Sequence, residues 1–209
     1  MKRVCLLALV AQALAVSEPS LFYSKFFKGS TPEFVSINIE RNGRVTFKEA
    51  VDDPAPIIFE LQPPEAEEIF GLADKLDHFK HEVESGLKVA HMGVKTFRFV
   101  DGGETHEVKF NYSIDTDAHD LAEWFERISE TEERRLNLDS SIHFDKLGVN
   151  QALLELQVVW ERKRLVCPKQ FLPLLARIAK NDSFLHMARE RAAALADAFE
   201  HPAAKAPAP

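Results

Sequence analysis

Cysteine is nearly missing from this chain: Cys5 and Cys167 are the only two among 209 residues. The first lies in "MKRVCLLALVAQALAVSEPS", where Lys2 and Arg3 precede an apolar run from Val4 to Leu14 and Ala13-Leu14-Ala15 forms a small-x-small cleavage site. That order reads as a secretory signal peptide over residues 1–15, so an exported, periplasmic or secreted protein is expected. Cys167 then stands alone, which excludes an intramolecular disulfide even in an oxidising compartment. Its setting, "RLVCPKQF", suits a buried small residue; a disulfide-linked dimer is the sharper alternative. Long apolar runs are lacking too, since Val4 to Leu14 falls short of the roughly 20 residues that span a bilayer.

Positive charge is scarce. Without Lys2 and Arg3 the chain keeps 24 basic against 33 acidic residues, a net charge of −9. No clustered Lys and Arg are available for nucleic-acid phosphates, and no basic amphipathic helix for an anionic membrane. Catalytic signatures are also missing: there is no G-x-S-x-G turn, Gly-rich phosphate loop, HExxH, paired cysteine or EF-hand loop. Acidic pairs such as Glu67 and Glu68, or Glu132 and Glu133, fit solvated helix positions.

What is present is a patterned core. Sixteen Phe and a hydrophobic fraction of 45% supply enough apolar surface to hold a fold without disulfides. In "EFVSINIERNGRVTFKE" Val35, Ile37 and Ile39, then Val45 and Phe47, alternate with polar residues on either side of Asn42-Gly43. This predicts a hairpin with one apolar face. "IIFEL" (57–61) predicts a third strand, and "PPEAEEIFGLADKLDHF" (63–79) a helix opened by prolines and acidic residues. "VKTFRFVDGGETHEVKFNYS" (94–113) predicts a second hairpin whose Phe97, Phe99, Val108, Phe110 and Tyr112 are core rather than a stacking platform. From Asp115 to about Phe199 the texture is helical, and the tail "HPAAKAPAP" reads as disordered.

Strands first and helices after predict an α+β fold: an antiparallel sheet of about five strands with helices on one face, followed by a C-terminal helical bundle or hairpin. The expected division is a sheet domain over 20–130, a helical extension over 131–199 packed on it, and the Pro/Ala tail over 200–209.

The run "STPEFVSINIERNGRVTF", followed by helix, loop, second hairpin and helix, resembles a small domain of unknown function common in bacterial exported proteins. The resemblance covers about residues 25–130 and implies architecture only. Where that family has a Cys-Pro-x-Tyr/Phe-like approach to the first strand, this chain has Thr31-Pro32-Glu33-Phe34, without the cysteine. "FLPLLARIAKNDSFLHMARERAAALADAF" (171–199) resembles one HEAT-type helical repeat in its Asp182 turn, Arg189 and alanine-rich second helix. One unit is not a solenoid, and a plain helical hairpin accounts for it.

The densest chemistry lies in "DHFKHEVESGLKVAHMG" (77–93). His78 and His81, three apart, would point to one side of a helix end, and His91 with Asp77 or Glu82 would complete a metal site. The helix dipole favours histidine there without any metal, so "DHFKH" is read as a last helical turn with Phe79 inward. Residues 82–93 are a connection long for a compact domain, expected to cross the sheet edge and tuck Leu87, Val89 and Met92 inward, or else to serve as a mobile binding loop. The polar strand face with Arg44, Thr46, Lys48, Arg98 and Lys109, together with Lys88 in that loop, is the candidate contact surface. No cofactor is expected. The function expected is a non-catalytic interaction or structural module of the bacterial cell envelope with another envelope protein as partner. The alternative is a hydrolase or metal-dependent enzyme with its site between sheet and helices.

Overall fold

The computed structural model describes residues 18–201; the signal peptide and nearly all of the Pro/Ala tail expected from the sequence lie outside them. Six strands form one antiparallel sheet: β1 (Ser20–Phe26), β2 (Phe34–Glu40), β3 (Arg44–Lys48), β4 (Ile57–Glu60), β5 (Val94–Asp101) and β6 (Glu104–Phe110). Their spatial order is β4-β3-β2-β1-β5-β6. The sheet therefore has six strands, where about five were expected. The strand that was missed is β1, which pairs with β2 on one side and β5 on the other. Aromatic residues on both of its faces, Phe22 and Tyr23 side by side, blur the period of two, and Lys25 takes the next position on the core face.

The two expected hairpins set the register. Gly43 adopts φ +91°, Asn42 Oδ1 accepts the Arg44 N–H at 2.9 Å, and Ile37 and Ile39 face Phe47 and Val45 across the ladder. In the second hairpin Phe97 faces both Tyr23 and Val108. Leu21, Tyr23, Ile37, Ile39, Val45, Phe47, Phe97, Phe99, Val108 and Phe110 form one buried sheet face. The aromatic stripe of the second hairpin is core, as its spacing implied.

Two helices cover that face. α1 (Pro63–Lys75) opens on its prolines, with the Gln62 N–H donating to Glu65 Oε2 at 2.9 Å, and buries Ala66, Ile69, Phe70 and Ala73. α2 (Thr116–Phe144) starts at Asp115, whose carboxylate accepts the Ala118 N–H at 3.1 Å. Its 29 residues span about 43 Å, enough to serve two cores. Ala118, Leu121, Phe125 and Ile128 pack against the sheet. Leu138 and Ile142 pack against α3 (Val149–Glu161), α4 (Leu172–Ala179) and α5 (His186–Glu200). An Arg189–Asp182 ion pair braces the turn between α4 and α5. The fold is α+β, with the helical part following the sheet. Among the described residues no helix is long and apolar enough to cross a membrane.

Two local expectations are corrected here. The helix before the loop ends at Lys75, and Asp77, His78 and Phe79 all take positive φ, so "DHFKH" is a left-handed turn and not a last helical turn. Burial of Phe79, 2% exposed, and the His78 ring stacked 4.1 Å from Phe99 offset the strain. Glu132 is not solvated: its side chain is fully buried where the two cores meet, while its neighbour Glu133 is half exposed.

Candidate functional site

The three histidines weighed for a metal have separate partners. His78 Nε2 lies 2.8 Å from Asp74 Oδ1, His81 lies 3.4 Å from Asp77, and His91 meets the Phe27 ring edge-on. Among the described residues no three His, Cys, Asp or Glu side chains gather as a metal-binding group. The left-handed turn separates what a helix would have aligned.

The loop of 82–93 is pinned at the sheet edge by Asn111. Its side chain accepts the Met92 N–H at 2.7 Å and donates to Ala90 O at 3.1 Å, and its own N–H donates to Glu84 Oε2 at 2.6 Å. That last bond holds the Glu84 carboxyl below its ordinary range. Leu87, Val89 and Met92 are exposed, and only Val83 packs on the core. The inward tuck expected for those three residues is not what the loop does.

Arg44, Thr46, Lys48, Arg98 and Lys109 do share the uncovered sheet face. Lys48 faces Ser36, Thr46 faces Asn38, Arg98 faces Phe22 and Lys109 faces Thr96. Lys88 sits apart, exposed in the loop. Most of the face's cations are matched within it: Arg98 pairs with Glu107 at 2.6 Å and lies over the Phe22 ring, Lys109 reaches Glu107 at 3.4 Å, and Arg44 is 4.0 Å from Glu40. Charge satisfied inside a face lends it little direction toward a ligand.

Cys167 is buried, and its thiol donates to Glu60 O at 3.1 Å. Burial pushes its pKa up, with Glu65 adding to the shift, so the sulfur remains a thiol and not a nucleophile.

A more directed arrangement lies between the sheet and α2, in residues that sequence reasoning passed over. There a cleft of about 420 Å3 separates the turn after β1 from the middle of α2. One wall is apolar, made by Phe27, Pro32 and Val35; the other is charged, made by Glu126, Glu130, Glu133, Arg134 and Arg164. Glu126, Glu130 and Glu133 share a helix face because they stand at i, i+4 and i+7. Arg164 is bound to Glu130 at 2.6 Å and to Glu123, while Arg134 is bound to Glu133 at 2.9 Å and Glu155 at 2.5 Å. At the floor Lys25 stands 3.8 Å from Glu126, beyond hydrogen-bond reach. Tyr23, stacked flat on Phe125 at 4.7 Å, also lines the cleft, and its buried hydroxyl has no partner. Burial and the Glu126 charge push the phenol pKa up, which keeps it neutral.

The cleft hydroxyls are not set up as nucleophiles. Ser30 donates to Phe27 O or Pro32 O, both at 2.7 Å, and Ser129 donates to Phe125 O at 3.0 Å. Neither has a base beside it. The signal for this site was present in the alternation of Leu21, Tyr23 and Lys25 and in the helical spacing of the three glutamates. Only the crossing of α2 over the end of β1 makes them one site. No protein-family model and no curated protein matches the chain.

Proposed function

We propose that this is a non-catalytic binding module of the bacterial cell envelope, which holds its ligand in the cleft between the turn after β1 and α2. The reading rests on one observation: a polar cleft with an orphaned, buried phenol whose hydroxyls are tied to backbone carbonyls instead of a general base. The alternative, a hydrolase or metal-dependent enzyme, would use the same position between sheet and helices. It lacks an activated nucleophile and a gathered ligand set among the described residues. The envelope assignment rests on the signal-peptide reading of residues 1–15.

Affinity capture from periplasmic extract tests this with two variants. Phe27→Ala removes the apolar cleft wall, and Phe26→Ser alters the uncovered sheet face. A component kept by wild type and Phe26→Ser but lost by Phe27→Ala supports the cleft as the binding site. Identical capture by Phe27→Ala overturns it, as does turnover of ester, peptide or glycoside substrates that disappears with that variant.

A further inference from the structure

The cleft is polarised along its length, a property that bears on its ligand and rests on the binding reading above. On the sheet's core face Lys25 and Lys95 are register partners at the end of β1 and β5, next to the unpartnered Tyr23 hydroxyl. A single carboxylate of α2, Glu126, faces this pair. Lys95 is occupied, donating to Asn111 O at 3.2 Å, so the Lys25 ammonium and the Tyr23 hydroxyl are the free donors at this end. Seven residues further along α2, about 10 Å away, the balance reverses. Glu133 gives one oxygen to Arg134 and stands beside Glu49, which also has Asp53 near it. Burial, with the charges of Glu133 and Asp53, holds the Glu49 carboxyl above its ordinary range, the mark of surplus negative charge. Phe27, Pro32 and Val35 lie between the two ends.

We propose that the cleft binds a zwitterion whose carboxylate meets Lys25 and Tyr23, whose ammonium meets Glu133 and Glu49, and whose aliphatic stem lies on Phe27, Pro32 and Val35. Allowing ~3 Å for a polar contact at one end leaves room for a stem of about five methylenes. A free ω-amino acid and a C-terminal lysine of a polypeptide both carry this pattern. The orphaned hydroxyl is the independent sign of a ligand, because a buried O–H without a partner costs stability that a bound carboxylate would restore.

The probes are 6-aminohexanoate, hexanoate, hexylamine and the dipeptide Ala-Lys, titrated into full-length protein carrying 13C-labelled tyrosine. The chain has two tyrosines, so Tyr23 reports the cleft and Tyr112 serves as control. The zwitterions are expected to shift Tyr23 saturably and to bind at least about ten-fold tighter than either singly charged analogue. Lys25→Met should remove the advantage over hexylamine, and Glu133→Gln the advantage over hexanoate. Tyr23→Phe should weaken binding several-fold while raising Tm, which a merely structural phenol would not do. Tighter binding of Ala-Lys assigns the ligand to a polypeptide terminus, and tighter binding of 6-aminohexanoate to a free amino acid. Hexanoate or hexylamine binding as well as the zwitterions, or a Tyr23 signal silent to every probe, overturns the ligand class. The Phe27→Ala capture decides separately whether the cleft binds anything.

Discussion

Glu132 carries a carboxylate to a point where no part of its side chain meets water, and only Arg135, at 2.9 Å, offsets the cost. Burial raises its pKa above the ordinary value, and one of its oxygens has no partner. A carboxyl with a raised folded pKa binds the extra proton in the folded state. Its ionisation therefore removes stability as pH rises from the ordinary carboxylate range through the folded pKa. Glu132→Gln keeps an acceptor for Arg135 and deletes that titration. The variant is expected to melt above wild type at about pH 8 and to lose this lead toward about pH 4; melting curves with a constant gap would disprove it. Beside it, Thr131 Oγ1 donates to Arg127 O and accepts the buried Val166 N–H at 3.0 Å. Thr131→Val leaves that N–H unpaired and should cost about 1–3 kcal/mol in a urea titration. None of this was readable beforehand. Neighbouring glutamates on a helix point about 100° apart, and composition does not say which one faces the second core.

At the scale of elements, the loop between α1 and β5 ends at a glycine that nothing else can replace. Gly93 has φ +95°, and a Cβ there would come within 2.9 Å of both Phe26 O and Phe27 Cβ. Gly93→Ala should cost about 2 kcal/mol or more, read as a lower urea midpoint, because left-handed backbone and a clash with β1 combine. Asn111→Ala acts differently, since it cuts the loop from the sheet edge without touching the core. Proteolysis within 84–92 should quicken while Tm hardly moves; unchanged cleavage would show that Asn111 does not anchor the loop. The Glu84 contact should persist at neutral pH and fail only in acid. Its folded pKa is lowered, so the stability it brings is lost as pH falls through that value. The hairpins and helices were legible because period, turn residues and proline placement act locally. β1 was not, because aromatics on both its faces hide the alternation that burial later sorts.

For the molecule as a whole, α2 is the shared beam. Its first half belongs to the sheet core and its second half to the helical core. Each core has its own tryptophan: Trp124, 7% exposed, on the sheet side, and Trp160, packed on Phe199, on the helical side. Leu153 is fully buried in the helical core. In a Trp160→Phe background, Leu153→Ala should lower the unfolding transition reported by Trp124 by about 2–5 kcal/mol, because a break in α2 is felt at both ends. A Trp124 transition that ignores Leu153→Ala would mean that the two cores unfold independently.

The amino-acid pattern alone determined the α+β class, both hairpins and their turns, and the apolar stripe of the second hairpin, since each follows from short-range periodicity and backbone sterics. It also placed Arg44, Lys48, Arg98 and Lys109 on one sheet face, because side chains along a strand alternate. Only the tertiary structure decided what those residues meet, and that the histidines part company at a left-handed turn. It alone set Tyr23, Lys25 and Glu133 around one cleft. Those outcomes depend on where α2 crosses the sheet, a contact between segments about a hundred residues apart, which no local pattern encodes.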